Sequence, residues 1–119
     1  MILDLRDNGG GSTSVGLRIL AHLVDKPFKS SKWYTREYHP SFRAWTKLEK
    51  TYGDDGDETT LEQIRNTRGQ NVQPFLKPVV VLTSPRTGSA AEDFLVAFKP
   101  LKRGLIIGEP STEAPDSLW

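Results

Sequence analysis

The 119-residue sequence contains no cysteine. A disulfide framework, a thiol nucleophile and a zinc–thiolate site are therefore excluded. There is no excess of charge of either sign: 16 Lys and Arg stand against 15 Asp and Glu, a net +1. Nothing electrostatic draws the chain to nucleic acid. Long hydrophobic runs are missing as well, and no stretch approaches the roughly 18–20 apolar residues that cross a bilayer. Only two histidines occur, His22 and His39, without the spacing of a metal site. The run Gly9-Gly10-Gly11 lacks the Lys-Ser/Thr of a P-loop, and Val15 stands where a dinucleotide fingerprint needs its third glycine. The length allows one domain, and the 36% hydrophobic content allows a modest core.

What is present is organised as strands, turns and helices. Residues 2–6 are apolar and β-compatible, and Asn8-Gly9-Gly10-Gly11 breaks the strand. Ser12, Thr13 or Ser14 can cap a helix of about 11–13 residues. Val15, Ile19 and Leu23 form its apolar stripe, widened by Leu17, Leu20, Ala21 and Val24, while Arg18, His22 and Asp25 fall opposite. Pro27 ends it. Aromatic residues at 28–39 suggest short strands or a hairpin, and residues 42–50 a short helix with Phe42, Trp45 and Leu48 on one side. The acidic stretch 52–60 reads as a mobile loop, and 60–68 as another short helix. Residues 40–73 are treated as an insertion within one domain spanning 1–119.

The last third is the clearest. Pro78–Thr83 is a continuous apolar run, expected of a strand buried on both faces. Ser84–Gly88 is a turn, 89–99 a helix, and Gly104–Gly108 another buried strand. Strand, helix, strand at this spacing predicts a right-handed parallel crossover. The fold class expected is α/β with a mainly parallel sheet. The chain opens inside a strand without a leader pattern and closes without a terminal element, which suggests a piece cut from a longer protein.

Chemistry is expected at the two strand-to-helix turns, because ligands in open α/β sheets bind beyond the carboxyl ends of the strands. The first turn offers unobstructed glycine N–H groups. The second offers Ser89 at a helix N-terminus, whose unpaired N–H groups and partial positive charge suit a developing oxyanion. Ser89 read locally is also an ordinary N-cap. His22 and His39 read as solvated, the acidic residues Asp54–Glu58 lack the ligand spacing of a calcium loop, and Trp33, Tyr34 and Tyr38 read as sheet packing.

Taken in order, three motifs resemble one family. Ile2–Gly11 is similar to the D-x-R-x-N-x-G-G signature of the tail-specific, or C-terminal processing, serine peptidases, a group that includes the tricorn core and the repeats of interphotoreceptor retinoid-binding protein. Pro78–Ser84 with Thr87-Gly88-Ser89-Ala90-Ala91-Glu92 resembles the family's nucleophile segment, and Gly104–Glu109 the strand that follows. Residues 28–73 are not diagnostic. The resemblance implies a crotonase-like, Clp-type spiral ββα core, present here as a partial domain. It implies Ser89 as nucleophile, Ala90 and either Gly10 or Gly11 as oxyanion-hole donors, and Glu92 as a supporting acid. It implies a peptide or protein substrate, no metal and no organic cofactor, and a parent in an extracytoplasmic compartment such as the bacterial periplasm or cell envelope.

The departures from the pattern carry weight too. One branch uses a lysine about 25 residues past the serine; here that position is Ala114, and no lysine follows Lys102. The other branch takes a histidine from before the D-x-R motif and a glutamate beyond the nucleophile strand, both outside these residues. A serine without a base is a weak nucleophile. The expectation is the nucleophile-bearing part of a Ser–His peptidase, inert by itself, with the remainder of its catalytic domain missing. The rivals are a non-catalytic peptide- or ligand-binding member of the same fold and a crotonase-like acyl-CoA enzyme.

Overall fold

The computed structural model describes residues 1–31, 33–34, 53–54, 56–112 and 118. The apolar runs of the sequence become a three-stranded parallel sheet. β1 (Ile2–Asp4) lies at one edge and pairs Leu3 with Val81 of the central strand. Four short strands come next in the chain: β2 (Phe28–Lys29), β3 (Trp33–Tyr34), β4 (Gly53–Asp54) and β5 (Glu58–Thr59). The central strand is β6 (Val80–Thr83), and β7 (Leu105–Gly108) forms the other edge, with Val81 opposite Ile106. The short strands form two antiparallel ladders, β2 with β5 and β3 with β4.

Among the described residues, the first helix packs against both of the others. α1 (Thr13–Leu23) follows the glycine turn, α2 (Leu61–Arg68) follows β5, and α3 (Ala90–Phe98) crosses from β6 to β7. α2 begins with a capping box, Thr60 and Gln63 each bonding the other's backbone N–H, which satisfies two of the helix's orphan donors. Leu20, Ile64, Val81, Leu95 and Phe98 have no exposed surface and form the centre of the core. Phe94 and Phe98 stack on successive turns of α3 with ring centroids 5.6 Å apart. Each such side chain, fully buried, contributes about 1.5–3 kcal/mol.

Three expectations are corrected. Val15 and Ile19 are exposed, at 54% and 41%, because the core-facing stripe of α1 runs through Leu20, Ala21, Leu23 and Val24 instead. β6 is fully buried on one face only: Val81 and Thr83 are buried and Val80 and Leu82 half-buried, while Ile2, Leu105 and Ile107 on the edge strands are exposed. The acidic stretch is not a simple loop, since β4 and β5 lie in it and pair with residues about 20 to 30 positions upstream. The helix expected at 42–50 lies outside the described residues, as does His39.

Two arginines, Arg68 buried and Arg103 half-buried, hold the carboxyl end of α1. Arg68 donates from Nη1 to the carbonyls of Ala21 and Val24, both at 2.9 Å, and from Nε to Val72 at 2.8 Å, while its Nη2 meets Asp25 at 3.0 Å. Arg103 donates to the carbonyls of Leu23 and Lys77 at 2.6 and 2.7 Å. The helix's last carbonyls, which have no intrahelical partner, are satisfied in this way.

Candidate active site

The turns after β1 and β6 lie side by side because their strands are neighbours in a parallel sheet. They are also laced together. The Leu5 N–H donates to the Leu82 carbonyl at 2.9 Å, the Thr87 hydroxyl to the Leu5 carbonyl at 2.7 Å, and the Gly88 N–H to the Asn8 carbonyl at 3.0 Å. The Ser84 hydroxyl bonds the Arg6 carbonyl, and Arg86 Nε meets the Asp7 carboxylate at 2.7 Å. Within the first turn, Arg6 clasps Asp4 through Nε at 2.9 Å and Nη2 at 2.7 Å. Those hydrogen bonds, with one from the Arg6 backbone N–H, pull the Asp4 carboxyl down to about 2.

Ser89 has φ 51° and ψ −123°. That is a positive-φ conformation that glycine adopts freely and other residues seldom do. An ordinary N-cap serine has extended angles and bonds an N–H of the first turn through its side chain. Ser89 lacks the extended angles. Its hydroxyl stands near the Glu92 N–H in a capping-box arrangement but makes no cap hydrogen bond of ordinary geometry; that N–H donates at 2.8 Å to the Ser89 carbonyl oxygen instead. Held strain at one exposed serine between a strand and a helix matches the sharp turn that presents a nucleophile in α/β hydrolases.

The glycine turn presses on this serine. A Cβ placed on Gly10 would stand 2.6 Å from the Ser89 Cβ and 3.1 Å from its Oγ, so only glycine fits there. The Gly10 N–H is taken by Asn8 Oδ1 at 3.0 Å. Among the described residues, the N–H groups of Gly11 and of Ala90, the first residue of α3, have no hydrogen-bond acceptor. Glu92 is 92% covered, with 8% of its surface exposed, and its Oε2 accepts the Ser89 N–H at 2.7 Å. All five residues singled out from the sequence thus gather at two adjoining turns.

A cleft of about 230 Å³ starts at these turns; its lining joins Gly10 and Ala90 to Leu3, Val15, Ile19 and Phe94. The exposed apolar residues Val15 and Ile19 are therefore cleft walls. His22 is at the far end of α1, its Nδ1 2.9 Å from the Arg18 carbonyl oxygen. At 1.5 Å per residue it stands roughly 13 Å along the helix from Thr13. Among the described residues no cluster of three or more His, Asp or Glu is arranged to hold a metal, and no helix is long and apolar enough to cross a membrane.

Three participants were given no role of their own in the sequence reading. Thr87, 1% exposed, joins the two turns. Asp93 receives the Thr13 hydroxyl at 2.6 Å and that of Ser31, tying the start of α1 to α3. Ser111 bonds Glu92. Each is a polar residue recognised only through a partner distant in the chain.

An exposed serine, strained between a parallel strand and a helix and set against a glycine turn, is an arrangement that serine hydrolases built on α/β sheets also use. The family model described as Peptidase family S41 matches residues 1–117, and the chain belongs to that family. It is 30% identical over 110 residues to carboxyl-terminal-processing peptidase 2, chloroplastic, of Arabidopsis thaliana, covering 92% of this chain and 17% of that protein. It is 30% identical over 112 residues to the chloroplastic C-terminal processing peptidase of Tetradesmus obliquus, covering 92% and 18%. Among solved structures, the photosystem II D1 C-terminal processing protease superposes with a TM-score of 0.59 at 26% identity, over 95% of this chain and 23% of that one. A Parabacteroides merdae structure superposes with a TM-score of 0.65 at 20% identity, over 95% and 31%, and shares the fold. The chain spans less than a fifth of the length of the curated relatives it matches.

Proposed function

We propose that this chain is the nucleophile-bearing part of an S41 serine peptidase catalytic domain, with the crotonase-like spiral core of such enzymes, and that Ser89 carries the acyl group. The observation that supports this most is the strained Ser89 backbone pressed against Gly10. In the reaction, Ser89 Oγ attacks a peptide carbonyl while a general base takes its proton. The tetrahedral oxyanion is held by the N–H groups of Ala90 and Gly11, with Gly10 setting the close approach. The C–N bond breaks as the amine takes the proton, and water then releases the acyl group by the reverse sequence. The base is supplied by a part of the catalytic domain beyond this chain, because His22 is remote and no lysine follows Lys102. The substrate is a peptide or protein segment.

The second reading is a non-catalytic member that binds peptides in the same cleft, and absence of the base histidine from the full-length protein would favour it. A crotonase-like acyl-CoA enzyme would bind coenzyme A, and the family match argues against it. The deciding experiment treats the intact peptidase with a fluorophosphonate probe. Labelling that disappears in Ser89→Ala supports the peptidase, whereas an unlabelled wild type that still binds peptide supports the second reading.

A further inference from the structure

From Glu109 to Thr112 the chain is exposed except at Ser111, which is 7% exposed. The Ser111 hydroxyl donates to Oε1 of Glu92, and the other oxygen of that carboxylate accepts the Ser89 N–H. The segment has further ties to the same turn: the Glu109 N–H reaches the Thr83 carbonyl at 3.3 Å, and the Thr112 hydroxyl the Pro85 carbonyl at 3.4 Å. We propose that Ser111 is a positioning residue for the nucleophile, acting through the Glu92 carboxylate on the backbone of Ser89. The inference rests on the reading of Ser89 as the nucleophile.

The physical link is a torsion. φ of Ser89 is rotation about its N–Cα bond. The Cα leads directly into α3, and Glu92 belongs to the same helix. A carboxylate that grips the Ser89 N–H therefore fixes that N–H relative to the helix, and with it φ at its unusual positive value. The grip is directional only if the carboxylate cannot turn. Ser111 holds Oε1, which leaves Oε2 aimed at the N–H. A buried carboxylate is also poorly tolerated unless its oxygens accept hydrogen bonds, so removing the Ser111 hydroxyl leaves Glu92 to seek another acceptor geometry. Ser89 is then free to relax toward an ordinary cap, with its Oγ out of line.

The test compares the intact wild-type peptidase with Ser111→Ala, Ser111→Thr and Glu92→Ala. The readouts are the fluorophosphonate labelling rate, kcat and KM on a peptide, and amide hydrogen exchange at Ser89. Small misplacement of a reacting group costs up to about a hundredfold, so Ser111→Ala is expected to lower labelling and kcat by about ten- to a hundredfold. KM should stay within about twofold, because the loss falls on the transition state. Exchange at Ser89 should accelerate while Val81 and Leu95 stay protected. Ser111→Thr, which keeps the hydroxyl, should restore all three readouts, and Glu92→Ala, which removes the grip on the Ser89 N–H outright, should reproduce the loss if Ser111→Ala does not fold. Wild-type rates in Ser111→Ala, or equal loss of protection at Ser89, Val81 and Leu95, would overturn the inference. A wild type that resists labelling altogether sinks the nucleophile reading instead, and the exchange comparison then still decides whether Ser111 holds Ser89.

Discussion

Gly10 and Ser89 lie so close that a methyl group on the first would stand 2.6 Å from the Cβ of the second, and 3.0 Å from the Gly88 carbonyl oxygen. Gly10 also has φ +116°. Gly10→Ala therefore meets both a steric wall and a backbone angle foreign to alanine, at a cost of about 1–3 kcal/mol for the angle alone. Gly9 has open space around its Cβ position and no positive φ. Gly10→Ala is expected to lower the thermal midpoint and abolish probe labelling at Ser89 in the intact peptidase. Gly9→Ala should stay within about 0.5 kcal/mol of wild type. Equal effects of the two would remove the close approach from the argument.

The 119-residue chain by itself should be nearly inert toward peptides. General-base assistance contributes about 10²–10⁴-fold, and His22 points into the Arg18 carbonyl rather than toward Ser89. The measurement is turnover of a fluorogenic peptide by the chain and by its Ser89→Ala variant, which should be indistinguishable. Turnover that is lost in Ser89→Ala would require a base within these residues.

The parts that the sequence made legible are those where local pattern and chain order coincide. Val79–Thr83 and Leu105–Gly108 read as strands from their apolar runs, and the glycine turn and the Ser89 turn read as a site because strand ends of an α/β sheet are where ligands bind. The buried face of α1 differs from the apolar stripe of its sequence because Val15 and Ile19 are as hydrophobic as Leu20 and Leu23. Hydrophobicity alone does not separate the wall of a cleft from a core. The ladders of Phe28 with Thr59 and Trp33 with Asp54 are two residues long and join distant segments, so no periodicity marks them. Arg68 and Ser111 act through carbonyls and carboxylates remote in sequence. A basic residue at the end of a helix and a serine after a proline have many commoner explanations.

Asp4 supplies the pH test. Its carboxyl is lowered from 3.8 to about 2 by the Arg6 side chain first and the Arg6 backbone N–H second. A carboxyl that binds its proton less readily folded than unfolded adds stability above its unfolded pKa, and loses it as pH falls through the folded value. The contribution is therefore present from neutrality down to about pH 4 and fades toward about pH 2. Because Asp4 and Arg6 are exposed on the surface, the effect is modest. Thermal midpoints of wild type and Asp4→Asn should differ between pH 5 and pH 7 by an amount that shrinks toward pH 2. A constant difference across the range would assign the effect of the substitution to something other than this ion pair.

The two faces of the parallel sheet should respond very differently to truncation. Leu95 sits on α3 with no exposed surface, packed toward the sheet's inner face. Leu105 lies on β7 with 64% of its surface exposed, in company with Ile2 and Ile107 on strands of the same sheet. Leu95→Ala removes buried methyl groups and leaves a cavity, which typically costs about 2–5 kcal/mol. Leu105→Ala removes surface already in water and should change the stability of this chain by no more than about 0.5 kcal/mol. Urea unfolding of the two variants under identical conditions checks the contrast, with m unchanged in both if the denatured state is unaltered. Should Leu105→Ala prove as costly as Leu95→Ala, the outer face of the sheet is covered in solution. Unfolding midpoints measured over a range of protein concentrations would then show whether a second copy covers it, since only an association makes the midpoint depend on concentration.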